Sequence, residues 1–172
     1  MSISRRAAVL FLFSVVSLCV TLAVHSRSSL PHSQQRDLPT TRHATDAFDV
    51  KVTPLQPAFK TDDNSLGRMS LDKQYHGDLE ATAQGEMLTA STPIKGSAAY
   101  VAVECVSGRL HGRTGAFLLQ HSGTMSHGEF HLNVTVVPDS GTGQLAGLSG
   151  AMNIIITDGK HSYEFSYTLP GT

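Results

Sequence analysis

Apolar and polar residues alternate with a period of two through nearly every segment from Thr45 to Leu169. No apolar stripe at helical spacing runs beyond two turns, so the pattern predicts strands. The first sets Phe48, Val50 and Val52 against Asp49, Lys51 and Thr53, with Pro54 and Pro57 ending its regular pairing. The second, 66–76, places Met69, Leu71, Lys73 and Tyr75 on one face. The third, 79–88, alternates Leu79, Ala81, Ala83, Gly85 and Met87 with polar neighbours, so its apolar face is unusually small. The fourth is expected over 97–106. Ser107-Gly108 then opens the fifth, 109–121, with Gly112 and Gly115 as bends, and 122–128 reads as a turn. The sixth, 129–137, aligns Phe130, Leu132, Val134 and Val136. The eighth, 160–169, aligns His161, Tyr163, Phe165, Tyr167 and Leu169, after the hairpin signal Asp158-Gly159.

Between the sixth and seventh strands lies Pro138-Asp139-Ser140-Gly141-Thr142-Gly143-Gln144-Leu145-Ala146-Gly147-Leu148-Ser149-Gly150. Pro138 cannot donate to a ladder, and the residues after it tolerate positive φ. The stretch reads as a corner, with the seventh strand spanning 145–157 and bending at Gly147 and Gly150. Gly141-Thr142-Gly143 is no phosphate loop, because it lacks a following Lys and joins strands rather than opening a helix. Eight sequential strands with short connections predict an all-β, antiparallel up-and-down barrel, since closure removes exposed edges; a sandwich is the alternative.

The first 44 residues have a different character. Arg5 and Arg6 precede an apolar run over 7–24, which predicts an N-terminal hydrophobic helix. Residues 1–26 read as a cleaved secretory signal or an uncleaved anchor, because the run just reaches spanning length. Residues 27–44, rich in Ser, Gln, Pro and Arg, read as a flexible tether, leaving 45–170 as the barrel domain. The expected location is exported, periplasmic or extracellular, with the inner membrane touched only through residues 7–24. Cys19 lies in the leader and Cys105 is the other cysteine, so the processed protein has no internal disulfide. A net charge of −1 gives no electrostatic case for nucleic acid.

Candidate chemistry follows from facing. Lys73 shares parity with Leu71 and Tyr75, and Glu104 shares parity with Tyr100 and Ala102, while Val101, Val103 and Cys105 form a competing face. If both charges point inward they need one another or a ligand; a one-residue slip instead turns them to solvent. His121, His161 and Tyr163 are read either as acid/base and donor groups at one barrel mouth or as hydrogen-bonded strand residues. His127 and His131, four apart on a strand, stand too far from each other to chelate one metal, and no metal or cofactor is expected.

Several runs resemble one family: 66–73 (LGRMSLDK), 75–80 (YHGDLE), 85–88 (GEML), 117–124 (FLLQHSGT), 136–143 (VVPDSGTG) and 159–161 (GKH). They look like a bacterial domain-of-unknown-function family that is similar to the allene oxide cyclase-like, calycin-type β-barrels. The resemblance implies a small eight-stranded barrel and no particular activity, and no catalytic residue is carried over. The reading that follows is a barrel holding a small apolar molecule against the Phe165/Tyr167/Leu169 and Phe130/Leu132/Val134 faces, with Lys73, Tyr100, Glu104, His121, His161 and Tyr163 as ligand-binding candidates. A cyclase- or isomerase-like enzyme using Glu104 or His121 as acid/base is the alternative. A structural, homo-oligomeric envelope protein is the third reading.

Overall fold

The computed structural model of the protein describes residues 40–56 and 65–171. The expected N-terminal helix and most of the tether lie outside these residues. Eight strands follow in chain order: β1 (Arg42–Leu55), β2 (Ser65–Tyr75), β3 (Leu79–Ser91), β4 (Ala98–Leu110), β5 (Arg113–Ser126), β6 (Glu129–Val136), β7 (Ser149–Thr157) and β8 (Lys160–Thr168). Each pairs antiparallel with its sequence neighbour, and β1 also pairs with β8, so the sheet closes into a barrel. The sandwich alternative is thereby set aside.

The strands begin and end at turns that the sequence marks only partly. The expected break at Ser107-Gly108 is absent, and β4 runs on to Leu110. Gly108 is there for a different reason: a Cβ at this position would stand 2.6 Å from the Ala81 Cα on β3. The reversal comes at His111-Gly112, with φ of 46° and 78°, and the next at His127-Gly128, with φ of 51° and 94°. Asp158-Gly159 has the same two positive angles, as the hairpin signal predicts. Histidine tolerates the left-handed region better than most side chains, so His-Gly serves here as Asp-Gly does. β1 starts at Arg42 and continues through Pro54, which sits opposite Met69 in the register, past the expected stop.

The link between β6 and β7 is more than a corner. β7 begins at Ser149 rather than at 145, because Gly143–Leu145 forms a short 3-10 turn. Leu145 and Leu148 drop from this link into the barrel core, both buried. Its polar residues run along the part of β5 that β6 does not reach. Thr114 N–H donates to Gln144 Oε1 (2.9 Å), Ala116 N–H to Thr142 Oγ1 (3.0 Å) and Leu118 N–H to Ser140 Oγ (3.1 Å). Thr142 N–H returns a bond to Ala116 O at 2.8 Å. The link thus replaces a strand along this edge, satisfying backbone groups that burial would otherwise penalise.

The core fills the end of the barrel that this link closes. Phe117 stacks on Phe165 with centroids 5.8 Å apart, and Phe165 on Tyr167 at 5.3 Å. Leu79, Leu110, Val106, Leu119 and Leu169 complete a tightly buried cluster with Leu145 and Leu148. The other end differs.

Candidate functional site

At the far end the barrel is hollow. A cavity of about 460 Å³ lies within the halves of the strands that run away from the β6–β7 link. Its walls include Phe48, Val50, Leu71, Met87, Leu132 and Ile154, and its polar lining includes Lys73, Tyr100, His121 and His161. Such a volume is in the range of small-molecule sites. Around the opening Val52, Phe130 and Ile156 line the cavity yet stay exposed. The wall is weakest between β6 and β7, which the register joins only at Thr135↔Ala151 among the described residues.

A charged cluster lies between cavity and core. Lys73 and Glu104 both point inward, because the β2–β3 and β3–β4 registers run without a bulge. Val101 and Val103, the competing face, are more than half exposed on the outside, and Cys105 is exposed with them. Lys73 Nζ donates to Glu104 Oε1 at 2.9 Å and stands 2.9 Å from Oε2. Tyr75 Oη donates to the same Oε1 at 3.0 Å, and His121 Nε2 meets it at 3.2 Å. Among the described residues Oε2 has no hydrogen-bond partner, and the ammonium 2.9 Å away balances its charge. Lys73 Nζ also lies 5.3 Å from the Phe48 ring centroid and 5.7 Å from that of Tyr75. The lysine is therefore held by both a carboxylate and two aromatic faces.

The electrostatics agree with an ionised pair. Burial pushes the Glu104 carboxyl up, but the His121 hydrogen bond and the Lys73 charge outweigh it and hold it below the ordinary carboxylate value. Burial, with the Glu104 charge added, pushes the Tyr75 hydroxyl well above the usual phenol value, and raises Tyr100 in the same way. Both tyrosines remain neutral donors.

Small residues on β3 make the cluster possible. Lys73 faces Ala83 across one ladder, and Glu104 faces Gly85 across the other. Two long side chains from β2 and β4 meet over β3 because its inner face there carries only Ala81, Ala83 and Gly85. A Cβ at residue 85 would stand 2.7 Å from both Cα and Cβ of Glu104. On β5, Gly123 serves Tyr100 likewise, since a Cβ there would meet the Tyr100 ring at 2.7 Å.

The six candidate residues separate into three groups. Lys73, Glu104 and His121 form the cluster, with Lys73 and His121 reaching the cavity and Glu104 standing behind them. Tyr100 and His161 line the cavity, His161 against Phe48 with centroids 5.2 Å apart. Tyr163 belongs elsewhere. Its hydroxyl points to the closed end, donating to His76 O at 2.8 Å and accepting from Leu79 N–H at 2.9 Å. Burial pushes it up to about 12, and the two hydrogen bonds fix the β2–β3 turn rather than a mouth. The Phe165/Tyr167/Leu169 face, expected to hold a ligand, is likewise packed solid in the core, as is Val134. Tyr75 was not singled out from the sequence, although its place two residues after Lys73 on one face was the available signal.

Among the described residues no group of three or more His, Cys, Asp or Glu side chains could hold a metal ion. No curated protein matches the chain. A crystal structure from Shewanella oneidensis MR-1, of a protein with unknown function from the DUF3224 family, is 49% identical with a TM-score of 0.73. That match covers 77% of this chain and 100% of that one. The family model described as protein of unknown function (DUF3224) matches residues 44–167, and the chain belongs to that family.

Proposed function

We propose that the barrel binds a small, largely apolar molecule in its open half and holds one polar end of it near Lys73, His121 and Tyr100. The observation that carries this reading is the contrast between the two ends. One end is packed with aromatic and aliphatic side chains, while the other encloses about 460 Å³ walled by equally apolar residues. An empty apolar space costs the fold lost dispersion contacts, so a ligand that fills it returns that energy as affinity. The exposed Val52, Phe130 and Ile156 at the opening extend the apolar path to the surface. The leader sequence supports an exported or inner-membrane-tethered protein, and a calycin-type kinship with the allene oxide cyclase-like barrels suits the same reading.

The test is uptake of a neutral fluorescent reporter, N-phenylnaphthylamine, by the full-length protein, alongside native mass spectrometry of freshly purified material. A saturable fluorescence rise, or a co-purified small molecule of fixed mass, is expected. Protein that carries nothing and takes up no reporter would falsify the reading.

An isomerase- or cyclase-like activity is the second reading, and one observation favours it. His121 lines the cavity while its Nε2 is held 3.2 Å from a buried carboxylate, the arrangement that orients a general base. Glu104 itself has no access to the cavity lining, so on this reading His121 touches substrate and Glu104 positions it. Turnover that vanishes in His121→Phe is the expected signature.

A further inference from the structure

Resting on the binding reading, we infer that the polar end of the ligand is a neutral hydroxyl, on an alcohol or a phenol, seated between His121 and Tyr100, and not an ionised carboxylate.

The charges of the cluster lead to this conclusion. Among the described residues Lys73 is the only Lys or Arg that lines the cavity, and no Asp or Glu lines it. Its charge is already matched by Glu104 at 2.9 Å, with side chains 5% and 0% exposed. A carboxylate entering this space brings a further negative charge that no free Lys or Arg among the described residues balances, and a buried, unbalanced charge is strongly disfavoured. A neutral group brings no such penalty.

Hydrogen-bonding capacity favours a neutral group that both donates and accepts, of which the hydroxyl is the smallest. His121 Nε2 faces the ionised Glu104 Oε1, which accepts only, so the ring proton belongs on Nε2. In that tautomer Nδ1 is left to accept from a donor. Tyr100, whose ring lies over Gly123 on the cavity wall, brings a hydroxyl that both donates and accepts. A ligand O–H can donate to His121 and accept from Tyr100 at once. A ketone or ether can do only the second, and an alkane neither.

The experiment displaces N-phenylnaphthylamine from the full-length protein with 1-decanol, decane or decanoate, at about pH 8, where free imidazole is uncharged. Decanol is expected to displace the reporter at a concentration about tenfold lower than either of the others. Decanoate binding best overturns the neutral head group. Decane binding as well as decanol overturns the hydroxyl contact while leaving the apolar site standing. A reporter that never binds overturns the binding reading and this inference together. The double variant His121→Phe/Tyr100→Phe is expected to lose the preference for decanol and to keep its affinity for decane. Should that variant fail to fold, by circular dichroism, the ranking on the native protein decides alone.

Discussion

Lys73 and Glu104, on strands that are not neighbours, form an ion pair at 2.9 Å inside the barrel, directly over the small residues of the strand between them. The pair separates a solid core from an apolar cavity, and it sets the polarity of the cavity floor. Buried pairs of this kind carry large opposing terms of desolvation and attraction. Their energetics are therefore best seen by breaking them one side at a time.

Glu104→Leu strands the lysine in an apolar interior and is expected to cost roughly 3–5 kcal/mol of unfolding free energy. Lys73→Met strands the carboxylate with a similar cost. The double variant, which leaves two apolar groups, is expected to recover most of that loss. Urea denaturation of all four proteins checks this. Additive losses in the double variant would mean that the two charges do not depend on one another.

Acid should weaken the barrel through the same carboxylate. The folded-state pKa of Glu104 lies below the ordinary carboxylate value, so the folded protein keeps the carboxylate ionised where the unfolded chain has begun to bind a proton. The contribution is complete above that value and is lost as pH falls through the folded one. Urea midpoints measured from neutral pH down to about pH 3 are expected to fall more steeply for the native protein than for the Lys73→Met/Glu104→Leu pair. Parallel curves would remove Glu104 from the account.

Gly85 should resist substitution by any side chain, although its φ is ordinary. Gly85→Ala places a Cβ 2.7 Å from two Glu104 carbons, and overpacking of this kind costs about 1–3 kcal/mol. Gly112 provides the contrast, with open space around it and a φ of 78°. Gly112→Ala should cost about 1 kcal/mol through backbone strain alone. Thermal unfolding of both variants, with reporter binding measured beside it, separates them. Only the substitution at 85 should disturb the cavity floor.

The contributions of the two barrel ends should come apart. Leu148→Ala removes a fully buried side chain of the β6–β7 link and is expected to cost about 2–5 kcal/mol of stability. Reporter affinity should stay unchanged, because Leu148 lies outside the cavity lining. A parallel fall in affinity would show that the closed end also supports the binding half.

Most of the strand set was legible from parity alone, and the reasons it blurs at particular places are physical. Alternation located β2 and β8 within a residue, and the start but not the end of β3, which runs three residues further to Ser91, since one face of each is apolar. β4 was ambiguous because Val101, Val103 and Cys105 on its outer face are as apolar as Ala102 and Val106 on its inner face. Only the register with Gly85 and Ala83 decides which face turns inward, and register is a long-range property. His111-Gly112 reads from the sequence as a bend within one strand and the turn at His127-Gly128 as a longer one over 122–128, because His-Gly is a less familiar hairpin signal than Asp-Gly or Asn-Gly. The candidate pair Lys73 and Glu104 was visible from parity, and His121 from its place after Phe117 and Leu119. Tyr163 could not be assigned an end, because a strand pattern fixes the side a residue faces and not its depth in a barrel.

The occupancy of the open half is the central claim, and blocking it is the most direct test. Leu132 lines the cavity and is half-buried, packed against the edge of the core. Leu132→Trp should fill part of the space, leave the circular dichroism spectrum intact, and weaken N-phenylnaphthylamine binding by about tenfold or more. Undiminished binding in a folded Leu132→Trp protein would contradict the account, because the reporter would then be held somewhere other than this cavity.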